Sequence, residues 1–130
     1  MKRTRGGLRT CRAAGPGSRV ALVAPASPFD ADELDRGVAE LRRLGFAPEY
    51  DARVLERLPI VAGPAEVRAS VLKDAWARDD VDAIVGIRGG YGSIETLPLL
   101  QASDVPEHPA LLVGYSDLTA LHTWLNLHVG

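Results

Sequence analysis

The sequence predicts an α/β domain: a mostly parallel sheet with helices on both faces. Three observations carry this expectation. "RVALVAP" (19–25), "VDAIVGI" (81–87) and "ALLVGY" (110–115) are short, nearly continuous apolar runs, as strands buried on both faces require. The segments between them carry apolar residues at helical spacing. Pro and Gly, 22 of the 130 residues, gather at the borders of these segments, where turns belong. Strong strands alternating with amphipathic helices mean βαβ units, because parallel strands need a crossover connection.

The first run ends at Pro25 and leads through "ASPFDAD" into a helix. Leu34, Val38, Leu41 and Leu44 share one face of it, Asp30 or Asp32 caps its start, and Gly45 stands where a left-handed terminator belongs. "FAPEY" (46–50) is a weak strand, and Pro48, which cannot donate to a ladder, places it at an edge. Residues 64–78 form a second helix with Pro64 at its first position and Val67, Val71, Leu72 and Ala75 on one side. The second strong strand runs into "RGGYGS" and then "IETLPLL", which Pro98 interrupts. After the third, "SDLTALHTWLNLHV" reads as a helix with Leu118, Leu121 and Leu125 inward. Asp117 lies in its first turn, where the helix dipole favours negative charge. Trp76 and Trp124 read as core or interface residues.

Composition narrows the function classes. A chain of 130 residues suits one domain, here residues 16–130, and its 46% hydrophobic and 25% charged residues are those of a soluble globular protein. The net charge of -2 hides an asymmetry: residues 1–19 hold six basic groups and no acid, leaving nine basic and 17 acidic groups over 20–130. An acidic body gives no electrostatic case for nucleic acid. Residues 1–15 read as a basic, poorly ordered extension, without the apolar stretch of a secretory signal. No run approaches the roughly 18 apolar residues of a membrane span. Cys11 is the only cysteine, which leaves no internal disulfide and no cysteine metal cluster, and a reducing cytoplasm is the expected location.

Ligands of open parallel sheets gather beyond the carboxyl ends of the strands. Three loops leave strong strands at that edge: "PASPFD", "RGGYGS" and "YSD". Gly89, Gly90 and Gly92 let main-chain N–H groups approach a phosphate, a carboxylate or an oxyanion, or they simply make a tight turn. The phosphate-loop fingerprint is absent and the dinucleotide fingerprint is incomplete, with Glu95 where a third glycine would stand. Ser116 sits between strand and helix, so it either caps the helix or presents its hydroxyl beside first-turn amides. "GYSDL" meets half of G-x-S-x-G, with Leu118 in place of the second glycine. A nucleophilic serine needs a base within hydrogen-bond reach. His122 and His128 would stand roughly 9 and 18 Å further along the helix, and His108 lies in a loop. Arg88 could hold a substrate carboxylate or loop carbonyls.

"GSRVALVAPASPFD", "VDAIVGIRGGYGSIETLPLL" and "LLVGYSDLTALHTWL" together resemble the amino-terminal half of the LD-carboxypeptidase family, which includes muramoyl-tetrapeptide carboxypeptidases and microcin C self-immunity peptidases. The resemblance runs from about Pro16 to Gly130. It implies a two-domain serine peptidase that cleaves an amide between an L-centre and a terminal D-amino acid of a murein peptide. It further implies Ser116 as the catalytic serine, the N–H groups of Gly90 and Asp117 as oxyanion donors, and Arg88, Gly89 and Tyr91 as substrate contacts. No metal or organic cofactor is implied; the family is cytoplasmic, serves murein recycling and is often homodimeric. The family's glutamate and histidine come from a carboxy-terminal domain, and no residue of this chain takes their roles by resemblance. The expectation is a hydrolase fragment with an incomplete active site and an exposed apolar seam. Two other readings are a non-catalytic anion- or nucleotide-binding module and a remnant that dimerises with longer relatives.

Overall fold

A computed structural model describes residues 8–130. Four strands, β1 (Arg19–Val23), β2 (Ala47–Tyr50), β3 (Ala83–Gly86) and β4 (Leu111–Val113), form one wholly parallel sheet in the order β2-β1-β3-β4. The helices are α1 (Ala31–Arg43), α2 (Ala65–Ala77) and α3 (Thr119–His128), joined by shorter 3-10 segments. The α/β expectation holds, and "FAPEY" contributes the edge strand that Pro48 required. Because β2 and β3 flank β1 on opposite sides, right-handed crossovers place α1 and α2 on opposite faces.

The register shows which side chains share a face. Val20 lies beside Ala83 and Ala83 beside Leu111, whereas Ala21, Ile84 and Leu112 form the row facing the other way. The second face is the better covered. It carries α2, which buries Val71, Leu72, Ala75 and Trp76, and α3, whose Leu121 and Trp124 are buried. His122 Nε2 stands 3.3 Å from the Leu112 carbonyl, fixing α3 to that side of β4. Trp76, Leu72, Ile84 and Leu121 are fully enclosed; each such side chain contributes about 1.5–3 kcal/mol by leaving water.

On the first face, α1 buries Leu34 and Val38, and Gly45, with φ +91°, follows its end. Leu44, expected inward, is exposed, since the helix has already ended and the chain is turning toward β2. β4 is also less buried than its composition suggested, with Leu111 42% and Val113 44% exposed. It ends the sheet, and α1 lies over β1 and β2, so this row of β4 has no helix above it. An apolar seam of this kind was expected. Residues 116–118 form a 3-10 turn before α3 begins at Thr119, in place of one continuous helix from Ser116.

Part of the extension expected through residue 15 is tied down. Arg12 donates from its main chain to Pro109 and from its guanidinium to the carbonyls of Arg78 and Asp79, which close the end of α2. Arg9 reaches the carbonyls of Val105 and Pro106. Uncapped carbonyls at a helix end accept such cations readily, so this part of the basic head is attached. The rest of that expectation, residues 1–7, lies outside the described residues.

Two glycines let α3 approach the sheet. A Cβ on Gly86 would meet Leu118 Cδ2 at 2.0 Å, and one on Gly114 would meet it at 2.4 Å. Leu118 is 1% exposed and cannot swing clear. Gly86→Ala is therefore expected to cost about 1–3 kcal/mol through overpacking. Leu118→Ala in the same chain should recover part of that loss, and urea unfolding of the two single variants and the double variant measures the coupling.

Candidate active site at the carboxyl edge of the sheet

The loops that leave β1, β3 and β4 converge, and hydrogen bonds join them. Ser27, two residues past Pro25, donates its N–H to the Gly89 carbonyl at 3.2 Å. Its Oγ accepts the Tyr91 N–H at 3.0 Å and donates to the Ile60 carbonyl at 3.0 Å. The Ser93 N–H donates to Asp117 Oδ2 at 2.8 Å, and Ser93 Oγ donates to the Asp117 carbonyl at 2.6 Å. Ser93 is fully buried and Asp117 half-buried, so the serine end of this double link is shielded from water.

Ser116 has φ +57°, the one positive value among the described non-glycine residues. The left-handed region costs an L-residue roughly 1–2 kcal/mol, so the surroundings must impose it. They do so from the next two positions: Asp117 is tied to Ser93, and Leu118 is plugged between Gly86 and Gly114. The leucine that breaks the general hydrolase pattern thus anchors the turn. Ser116 is exposed, and no side-chain cap closes the turn that follows it. Of the two roles that its position allowed, helix capping is the one the geometry does not bear out. Residues held in such sparsely populated conformations cluster at active sites and ligand clamps. Relief of that strain is measurable: Ser116→Gly should raise unfolding stability by about 0.5–1 kcal/mol, whereas Ser116→Ala keeps the conformation and should leave it nearly unchanged.

The glycine loop faces this corner. A Cβ on Gly89 would stand 3.1 Å from Ser116 Cβ and 3.4 Å from its Oγ. Gly90 has φ +100°, and a Cβ there would fall 2.3 Å from Ser27 Oγ, so no other residue fits. The N–H groups of Gly90 and Asp117 have no protein acceptor among the described residues, whereas those of Tyr91 and Ser93 are committed. Tyr91 is half exposed at the rim. Arg88 is exposed and places Nη1 2.8 Å from the Pro28 carbonyl, so part of its guanidinium holds the first loop.

Two residues that the sequence did not single out hold this edge together. Ser27 is one. Arg68 of α2 is the other: it is 3% exposed and donates to the carbonyls of Gly63 (2.9 Å), Pro25 (2.7 Å) and Gly92 (2.7 Å) and to Glu95 Oε2 (2.5 Å). Glu95 therefore has a structural partner. Its signal in the sequence was an arginine four residues before Leu72 and seven before Ala75, on a helix face otherwise buried.

The histidines stand elsewhere. His122 faces the Leu112 carbonyl, and His128 lies against Trp124 with ring centroids 5.4 Å apart. His108 lines a hollow with Leu8, Arg9 and Val129. Among the described residues none is joined to Ser116 by a hydrogen bond.

Fold and corner together define a class: a parallel α/β domain that turns an unsatisfied serine, at a strained strand-to-helix junction, toward a glycine loop. Residues 20–130 match the model of the LD-carboxypeptidase N-terminal domain, and the chain belongs to that family. It is 34% identical over 115 residues to the murein tetrapeptide carboxypeptidase of Pseudomonas aeruginosa, covering 85% of this chain and 36% of that one. It is 39% identical over 111 residues to a Streptomyces coelicolor protein that carries a carboxypeptidase name, covering 82% and 36%. Among solved structures, a muramoyltetrapeptide carboxypeptidase from Oxalobacter formigenes superposes with a TM-score of 0.78 at 26% identity, covering 87% of this chain and 38% of that one. The microcin C7 self-immunity protein in complex with aspartyl sulfamoyl adenosine gives 0.79 at 26% identity, covering 88% and 35%. The chain thus spans a little over a third of the length of these relatives.

Proposed function

We propose that this chain carries the nucleophile half of a serine LD-carboxypeptidase acting on murein peptides. Ser116 Oγ attacks the carbonyl of the L-centre that precedes a terminal D-amino acid. The negative charge that develops on the carbonyl oxygen is met by the N–H groups of Gly90 and Asp117, preorganised donors being among the largest contributors to such catalysis. Gly89 gives the substrate close access, and Tyr91 and the free part of Arg88 contact the peptide and its carboxylate. By the family resemblance, the base that takes the Ser116 proton is the histidine of the carboxy-terminal domain; the three histidines described here face other groups. The reading invokes no metal or cofactor, a cytoplasmic location and a homodimer of the intact protein.

One observation carries the proposal: the serine that the family resemblance picks out is also the residue held at φ +57° with an open hydroxyl. Names of relatives agree with the substrate class, since two of them are murein peptide carboxypeptidases. One solved form of the microcin C7 self-immunity protein is an active-site mutant in which a serine is among the residues changed to alanine.

A fluorophosphonate, which modifies activated serines, tests the assignment on this chain. Intact-mass and peptide analysis should place a slow, single adduct on Ser116 and none in Ser116→Ala. An adduct distributed over other serines, unchanged in Ser116→Ala, would refute it. Nucleotide binding that survives Ser116→Ala would favour an anion-binding module instead.

A further inference from the structure

We infer that Ser27 is a positioning residue that sets the direction of the Gly90 N–H, so that this group points at the oxyanion formed on Ser116. The inference rests on the proposed role of Ser116 and deepens it. Ser27 lies on the loop after β1, within a segment that carries the family resemblance but not among the residues that the resemblance placed in the site.

Gly90 is flanked by two peptide planes, and one residue holds both. The Ser27 N–H donates to the Gly89 carbonyl at 3.2 Å. In a trans peptide the carbonyl and the following N–H point in opposite directions; there is no cis peptide bond among the described residues. Holding the Gly89 carbonyl toward Ser27 therefore turns the Gly90 N–H away from Ser27, and no protein acceptor among the described residues takes it up, while Gly89 itself lies against Ser116. The next plane is fixed by the side chain, as Ser27 Oγ accepts the Tyr91 N–H at 3.0 Å.

The hydroxyl cannot reverse its role. Its own proton is directed to the Ile60 carbonyl at 3.0 Å, so a lone pair must face Tyr91. The loop that supplies Ile60 is itself bound to the first, through Ala62 N–H and the Ala26 carbonyl at 2.8 Å. Gly90, at φ +100°, has no Cβ to restrict rotation of the peptide planes on either side of it. Without Ser27 Oγ, the Gly90–Tyr91 plane loses its tether, and the Gly89–Gly90 plane that carries the donor is held only by the Ser27 N–H. Preorganisation, not affinity for the ground state, is what disappears.

The test uses the 130-residue chain and an N-acylated α-aminoboronic acid of L configuration. Ser116 Oγ bonds to boron, the hydroxyl proton leaves to solvent, and trigonal boron becomes a tetrahedral anion that mimics the oxyanion. Binding is followed by 11B and 15N NMR in the parent chain, Ser116→Ala, Ser27→Ala and Ser27→Thr. The expected result is a Ser116-dependent tetrahedral adduct that shifts the Gly90 amide. Ser27→Ala should bind at least 10-fold more weakly, with faster Tyr91 amide exchange and an unchanged Tm, and Ser27→Thr should restore both binding and exchange. If Ser27→Ala fails to fold, Ser27→Cys replaces it, keeping the volume with a much weaker acceptor. A Ser116-dependent adduct equally tight in Ser27→Ala overturns the role of Ser27 and leaves Ser116 standing. No Ser116-dependent adduct in the parent chain overturns both.

Discussion

Arg68→Met is expected to destabilise the domain by about 3–5 kcal/mol, enough to unfold a marginal domain of this size. The guanidinium is almost wholly buried and serves four acceptors: three carbonyls, from the loop after β1, the loop before α2 and the glycine loop, and the Glu95 carboxylate. Methionine fills much of the volume, but it leaves three carbonyls and a carboxylate without their donor. The Glu95 side chain is 40% exposed and is partly rehydrated, so its unpaired carboxylate accounts for a smaller part of the loss than the three carbonyls. The double variant Arg68→Met, Glu95→Gln should therefore regain part of the loss, leaving only the carbonyls unpaired. Urea titrations of the three variants at pH 7 measure this. A loss under 1 kcal/mol in the single variant would show that water replaces the arginine at little cost.

The same residue explains what could and could not be read in the sequence. The alternation of apolar runs with helical spacing is a local property, so the parallel sheet, its edge strand at Pro48 and the convergence of three loops were all legible. Burial of β4 was not, because the run "ALLVGY" carries no information about its place in the strand order. Only the order β2-β1-β3-β4 puts Leu111 and Val113 at an uncovered end. The two latches were hidden for a related reason. Ser27 sits between prolines as an ordinary turn residue, and its value comes from Gly89, Tyr91 and Ile60, more than thirty positions away. Arg68 did leave a trace, a charge on the buried side of α2, whose partner Glu95 was read only as a departure from the pattern.

Ser116 shows how both levels combine. Its position between strand and helix allowed capping or catalysis, and residue spacing alone could not choose. The structure removes capping: the turn is uncapped, and φ +57°, with two neighbours fixed by Ser93 and by the gap between Gly86 and Gly114, leaves the hydroxyl exposed. If the hydroxyl is the nucleophile, its removal should cost at least 10³-fold in rate, the residual turnover coming from binding and the oxyanion donors. KM should change little, because the hydroxyl adds little to ground-state binding. Gly90 and Asp117 would still hold the carbonyl, but no covalent intermediate could form.

That effect requires the base as well as the serine. It is read most directly after joining residues 8–130 to the remaining length of the Pseudomonas aeruginosa murein tetrapeptide carboxypeptidase. Release of D-alanine from a murein tetrapeptide is then followed for the fusion and for its Ser116→Ala variant. The account predicts steady release by the first and a rate at least 10³-fold lower in the second. Equal release by both would show that the hydroxyl at this corner is not the attacking group.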